Sequence, residues 1–156
     1  MRENFDAAFD YLMRVEGGLV NDVRDKGGMT KYGISTKAFP NLKIVDITKE
    51  QAKEIYRVHY WDACRCDDLP ASFDIAVFDT AVNQGVKKAV LTLQRALGVT
   101  ADGIIGEKTI ASCRSSGEQE LRNFLLWRLR EYSRLDDYKV FGNGWFNRLL
   151  KLSGVI

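Results

Sequence analysis

The sequence predicts a mainly α-helical fold in one compact domain. Apolar residues recur at helical spacing in one segment after another. Runs of strand-type alternation are nearly lacking. The prolines, Pro40 and Pro70, both fall between helical segments. A chain of 156 residues can bury a real core without disulfides or metals.

The first helix covers 3–16. Phe5, Phe9, Leu12 and Glu16 lie on one face, and Gly17-Gly18 ends it. Residues 19–36, rich in Gly, Asn, Asp and Thr, predict a loop or at most a small β-hairpin. Thr48, with Gln51 three places on, reads as the N-cap of a helix running to about Tyr60. Phe73, Val77, Phe78 and Val82 mark a helix over 71–83. Further helices are predicted over 86–97, ending at Gly98, and over 107–114. The longest spans 118–135, with Leu121, Leu125, Leu129 and Tyr132 on its apolar side. Phe141-Gly142-Asn143-Gly144-Trp145 reads as a turn before a last short helix.

Net charge is +2, too weak to argue for nucleic acid. Basic residues gather late in the chain: Arg122, Arg128, Arg130, Arg134, Lys139, Arg148 and Lys151, against Glu131, Asp136 and Asp137. Two readings stand, a face for a polyanion or a solvated helix surface. The N-terminus lacks a basic stretch followed by an apolar run, so no secretory leader is expected. No stretch approaches the ~18 apolar residues of a membrane span. Synthesis and folding in the cytoplasm are expected, with Cys64, Cys66 and Cys113 as free thiols.

Glu16 is the leading candidate for chemistry. It shares the apolar stripe of the first helix and sits in its last turn. Burial and the helix dipole both disfavour its charged form and raise its pKa. A carboxyl held protonated near neutral pH is what a general acid for glycosidic cleavage needs. The following loop carries the short polar side chains Asn21, Asp22, Asp25 and Thr30. Asp25, nine positions on, could return across a cleft as the second carboxylate, stabilising positive charge or positioning water. The plainer reading of the same residues is a helix end and a set of turns.

The stretch Glu16-Gly17-Gly18-Leu19-Val20-Asn21-Asp22, continued by Asp25-Lys26-Gly27-Gly28-Met29-Thr30-Lys31-Tyr32-Gly33-Ile34-Ser35, resembles the signature of glycoside hydrolase family 108. That family contains phage and bacterial N-acetylmuramidases of lysozyme-like fold. The resemblance implies Glu16 as catalytic acid, Asp25 and Thr30 as its partners, and substrate contacts from Asn21, Asp22 and Tyr32. The Glu/Asp/Thr order also resembles the catalytic triad of other phage lysozymes. Here Thr30 follows Asp25 one residue sooner than in that triad.

Phe78-Asp79-Thr80-Ala81-Val82-Asn83-Gln84-Gly85 resembles a further family segment. Asp79 and Asn83, at i and i+4, can converge on a substrate, support the acid, or simply cap a helix end. Trp61 could floor a saccharide cleft, since sugar C–H faces pack on aromatic rings, or belong to the core. Gln94-Arg95-Ala96-Leu97-Gly98-Val99 through Asp102-Gly103-Ile104-Ile105-Gly106 to Thr109 resembles a peptidoglycan-binding module. Its glycines permit tight turns between short helices, so the segment can shape the fold without binding. Gly144-Trp145-Phe146-Asn147-Arg148 resembles the end of family 108 proteins. The implied organisation is one lysozyme-like domain over 1–156, with a catalytic part at 1–85 and a peptidoglycan-binding-like helical part at 86–156 packed on it.

One histidine and no paired-ligand spacing argue against a zinc amidase or peptidase, so neither metal nor cofactor is expected. Nothing flags an activated cysteine, and Gly27-Gly28-Met29-Thr30 lacks a phosphate-loop pattern. The expected activity is hydrolysis of the β-1,4 bond between N-acetylmuramic acid and N-acetylglucosamine. A lytic transglycosylase and a catalytically silent wall-binding or regulatory protein are the alternatives. The expected partner is bacterial peptidoglycan, with no nucleic acid, no stable membrane insertion and a monomeric chain. It would reach the wall through a holin-type lesion, another exporter, or lysis.

Overall fold

The computed structural model describes residues 2–16 and 30–156. Among them are seven α-helices and one two-stranded sheet. The helices are α1 (Arg2–Glu16), α2 (Lys49–Tyr56), α3 (Phe73–Gln84), α4 (Val86–Ala96), α5 (Glu107–Arg114), α6 (Glu118–Ser133) and α7 (Tyr138–Ser153). The strands β1 (Thr30–Lys31) and β2 (Ile34–Ser35) pair antiparallel, Thr30 opposite Ser35 and Lys31 opposite Ile34. The mainly helical fold read from the sequence is the one observed.

Helix α3 is the centre. Along it Phe73, Asp74, Ala76, Val77, Phe78, Asp79, Thr80 and Ala81 are all buried. A helix buried on every face must be wrapped by its neighbours, and α1 and α4 pack on it. Phe5 of α1 meets Phe78 and Trp61 edge-on, with ring centroids 5.9 and 5.3 Å apart. Trp61 and Phe78 are themselves 5.5 Å apart. Edge-to-face rings match the positive rim of one to the negative face of another.

Helix α2 begins as its sequence predicts. Thr48 Oγ1 accepts from the Gln51 N–H, and Gln51 Oε1 accepts from the Thr48 N–H, at 3.2 and 2.8 Å. The helix does not stay α-helical to Tyr60. It widens into a π-helical turn over Arg57–Asp62.

The expected turn at 141–145 is absent. Helix α7 runs straight through Gly142 and Gly144. Glycine lowers intrinsic helix stability by about 1 kcal/mol per residue, but packing overrides that here. The Trp145 ring stacks on Tyr132 of α6, centroids 5.1 Å apart and planes 15° apart. The Tyr138 ring lies 2.9 Å from where a Cβ on buried Gly142 would sit, so that position favours having no side chain.

Around α4 and α5 the loop is organised by one buried side chain, Gln94. Its Nε2 donates to Asp102 Oδ1 at 2.7 Å and to the Ile104 carbonyl at 3.0 Å. Its Oε1 accepts from the Gly103 N–H at 2.8 Å. Gly103 has φ +81°, a left-handed conformation that glycine adopts without strain. The motif spacing in this segment thus has a structural cause: a polar latch holds the turn into α5.

Candidate active site

The described part of helix α1 runs to Glu16. Its apolar stripe seats it: Phe5, Phe9 and Leu12 are all buried, and Leu12 is one turn before Glu16. The chain re-enters the described structure at Thr30, the first residue of β1. Asn21, Asp22 and Asp25 lie outside the described residues, as does the side chain of Glu16.

The hairpin is held from two sides. Tyr32 and Gly33, its two loop residues, have φ of +53° and +78°. Positive φ at both positions suits the right-handed twist of the strands they join. Ile34 is buried. Tyr56 Oη of α2 donates to the Tyr32 carbonyl at 2.9 Å, and Lys31 Nζ donates to the Val45 carbonyl at 2.7 Å. Thr30 and Tyr32 are half-buried on this tethered strand pair.

Three other expected substrate contacts have different surroundings. Trp61 is fully buried, and its Nε1 donates to Asp67 Oδ1 at 3.0 Å. It is core, closed to a sugar. The cause is the π-helical turn. Tyr56 points inward, and the widened turn brings Trp61, five residues on, to the inner side in place of Tyr60.

Asp79 is also closed to substrate. Its carboxylate is fully buried between two guanidinium groups. Arg128 Nη1 of α6 lies 2.6 Å from Oδ2, and Arg148 Nη2 of α7 lies 2.8 Å from Oδ1. Arg148 Nε also donates to Oδ1 at 3.0 Å. Asn83, one turn along α3, joins the same network. Tyr132 Oη donates to Asn83 Oδ1 at 2.5 Å and accepts from Arg128 Nε and Nη2 at 3.1 and 2.9 Å. The i, i+4 pair does converge, but on α6 and α7.

This corrects the picture of a uniformly solvated basic face near the C-terminus: Arg128 and Arg148 are internal. Neither arginine carries a local signal of burial, because an isolated Arg in a helix reads as surface. The described residues hold no group of three or more His, Cys, Asp or Glu suited to a metal. None of their helices is long and apolar enough to cross a membrane. The three cysteines are buried and outside any disulfide.

Residues 9–85 match the family model described as glycosyl hydrolase 108. Over nearly its whole length the chain also resembles the structure of Brucella abortus SagA, with 33% identity and a TM-score of 0.88. The alignment covers 99% of this chain and 94% of the other. The chain belongs to glycosyl hydrolase family 108. In this family 108 chain, residues 88–150 match a second model, described as a predicted peptidoglycan domain. The two matches meet at the α3–α4 junction. The buried Asp79 pairs therefore link a residue of the first matched segment to two of the second. No curated protein sequence matches the chain. Family membership and the peptidoglycan-domain match support a glycosidase-type hydrolase of the cell wall.

Proposed function

We propose that this protein is a muramidase that hydrolyses the β-1,4 bond between N-acetylmuramic acid and N-acetylglucosamine, with Glu16 as general acid. The observation that carries the reading is the family 108 match over 9–85, a span that contains Glu16, Asp25 and Thr30. Glu16, the last described residue of α1 and followed in the sequence by Gly17-Gly18, suits the role physically. Unpaired carbonyls at a helix end repel a carboxylate and favour the protonated acid. That proton goes to the leaving glycosidic oxygen as the bond to the sugar's anomeric carbon breaks. Asp25 stabilises the developing oxocarbenium charge or orients the attacking water, and Thr30 on the tethered hairpin helps hold that water. Wall access follows holin-type release or lysis.

The test is clearing of purified cell walls, followed by analysis of the new ends. Wild type is expected to clear walls and leave reducing N-acetylmuramic acid. Glu16→Gln is expected to lower the rate by about 10²–10⁴-fold, the usual worth of a positioned general acid. Asp25→Asn should slow clearing while leaving wall binding intact. Unchanged clearing by Glu16→Gln overturns the acid assignment. Anhydro ends would make the enzyme a transglycosylase instead.

A further inference from the structure

We infer that the recess beside the π-helical turn, formed by Phe39, Pro40, Asn41, Leu42, His59 and Tyr60, is a subsite for one uncharged N-acetylhexosamine unit of the glycan strand. The inference rests on the glycan-cleaving reading and deepens it.

The recess has a volume of about 450 Å³, ample for one sugar ring with its acetamido group. Its existence follows from the change of helical register. Were α2 to continue as an ordinary helix, Tyr60, four residues after buried Tyr56, would face the core. The widened turn sends Trp61 inward instead, leaving Tyr60 half-buried and His59 exposed. π-Helical turns recur at functional sites because they re-aim side chains in this way.

The opposite wall is built with equal economy. Phe39 follows directly from the hairpin, its N–H donating to the Ser35 carbonyl at 3.0 Å. The Phe39 and His59 rings meet edge-on, centroids 5.2 Å and planes 73° apart. Tyr60 is braced by Tyr56, centroids 5.5 Å apart. The aromatic corner is thus assembled before any ligand arrives, which lowers the entropic cost of binding.

The lining chemistry selects the ligand. Aromatic faces suit the C–H faces of a pyranose and the methyl of an acetamido group. The Asn41 amide and His59 imidazole offer donors and acceptors for hydroxyls and the acetamido carbonyl. Among the described residues, no Asp, Glu, Lys or Arg lines the recess. That favours N-acetylglucosamine over N-acetylmuramic acid, whose lactyl carboxylate would find no cation among these lining residues. The neighbouring groove exposes mainly the apolar surface of Leu42, Ile47, Ile55 and Val58, with Gln51, Glu54 and His59 at its edges, and suits a sugar's hydroxyls less well.

His59 is the only histidine, so its imidazole is an unambiguous NMR reporter. The experiment titrates the full chain carrying Glu16→Gln with a peptide-free N-acetylglucosamine tetrasaccharide, and in parallel measures wall clearing by the wild type. The His59 ring signals are expected to shift and saturate. Phe39→Ala, checked for an unchanged melting temperature, should raise the apparent Kd about five- to tenfold through lost ring contact. His59→Ala provides a second variant, read through the amide signals of Phe39, Asn41 and Leu42, and should likewise weaken binding. Silent His59 signals beside a wild type that clears walls overturn the subsite and leave the muramidase reading standing. Shifting signals beside a wild type that leaves walls intact uphold the subsite and overturn the cleavage. An unchanged Kd in Phe39→Ala also overturns the subsite.

Discussion

Replacing Asp79 with Asn removes the charge shared by Arg128 and Arg148 while keeping side-chain volume. Both arginines then remain among buried atoms with no carboxylate between them. Breaking one buried ion pair from one side costs about 3–5 kcal/mol, mostly as the desolvation of the charge left behind. Two pairs depend on Asp79, but their losses do not add fully. Arg148, 8% exposed, has a route toward water, whereas Arg128, at 0%, has none. The expected loss is therefore about 4–6 kcal/mol, near the upper end for one pair. For a chain of this size each kcal/mol moves Tm by about 2–4 °C, so the melting temperature should fall by roughly 10–20 °C. Far-UV circular dichroism against temperature reads this directly. The transition should stay single, because Asp79 joins α3 to α6 and α7. A companion variant, Asp79→Leu with Arg128→Met and Arg148→Met, should recover most of the loss, since well-packed apolar replacements often match a buried ion network. A fall of less than about 5 °C in Asp79→Asn would refute the argument that these charges are desolvated and mutually dependent.

Two further changes test other buried groups. Burial drives the Tyr11 phenol pKa above its ordinary value, with the Asp79 charge adding to the effect. Below about pH 10 both folded and unfolded chains keep that proton; above it the unfolded chain releases it first, so stability falls as pH rises. Tyr11→Phe should flatten that alkaline fall, and near neutral pH it should leave Tm unchanged or higher, because the buried hydroxyl has no hydrogen-bond partner among the described residues. Melting curves from neutral to alkaline pH that run parallel in the two proteins would contradict this. Gln94→Ala should cost about 1–3 kcal/mol by orphaning the Gly103 N–H and its neighbours; urea unfolding with an unchanged midpoint would mean the latch is dispensable.

The helices were readable where local chemistry and packing agree. The Thr48–Gln51 capping box and the Phe5, Phe9, Leu12 stripe each define an element with residues inside it. What escaped depends on contacts far along the chain. Gly142 and Gly144 lie in a helix because Trp145 stacks on Tyr132 and Arg148 reaches Asp79, and no window around 141–145 contains those partners. Arg128 looked solvated for the same reason. The register shift after Tyr56 left no mark in apolar spacing, since Tyr60 and Trp61 are equally suited to a core. For the candidate site, the sequence carried the motif from Glu16 to Ser35 and the family it belongs to. It leaves Trp61 and Asp79 undecided, because their residue types suit a cleft and a buried support equally well. Phe39 and His59 stood out in no motif, because the wall they form exists only once the hairpin and α2 are side by side.

A π-helical turn is an α-helix carrying one residue more than its hydrogen bonds need. Between Arg57 and Asp62 that surplus decides which neighbour, Tyr60 or Trp61, meets solvent. Removing a single residue from this turn would restore ordinary pitch and exchange their places. The indole would be driven outward, the Tyr60 ring would be pressed into the space against Phe5 and Phe78, and the recess would lose one wall. In this stretch chain length, more than residue type, is under constraint: a conservative substitution leaves the surface intact, whereas a one-codon deletion rewrites it.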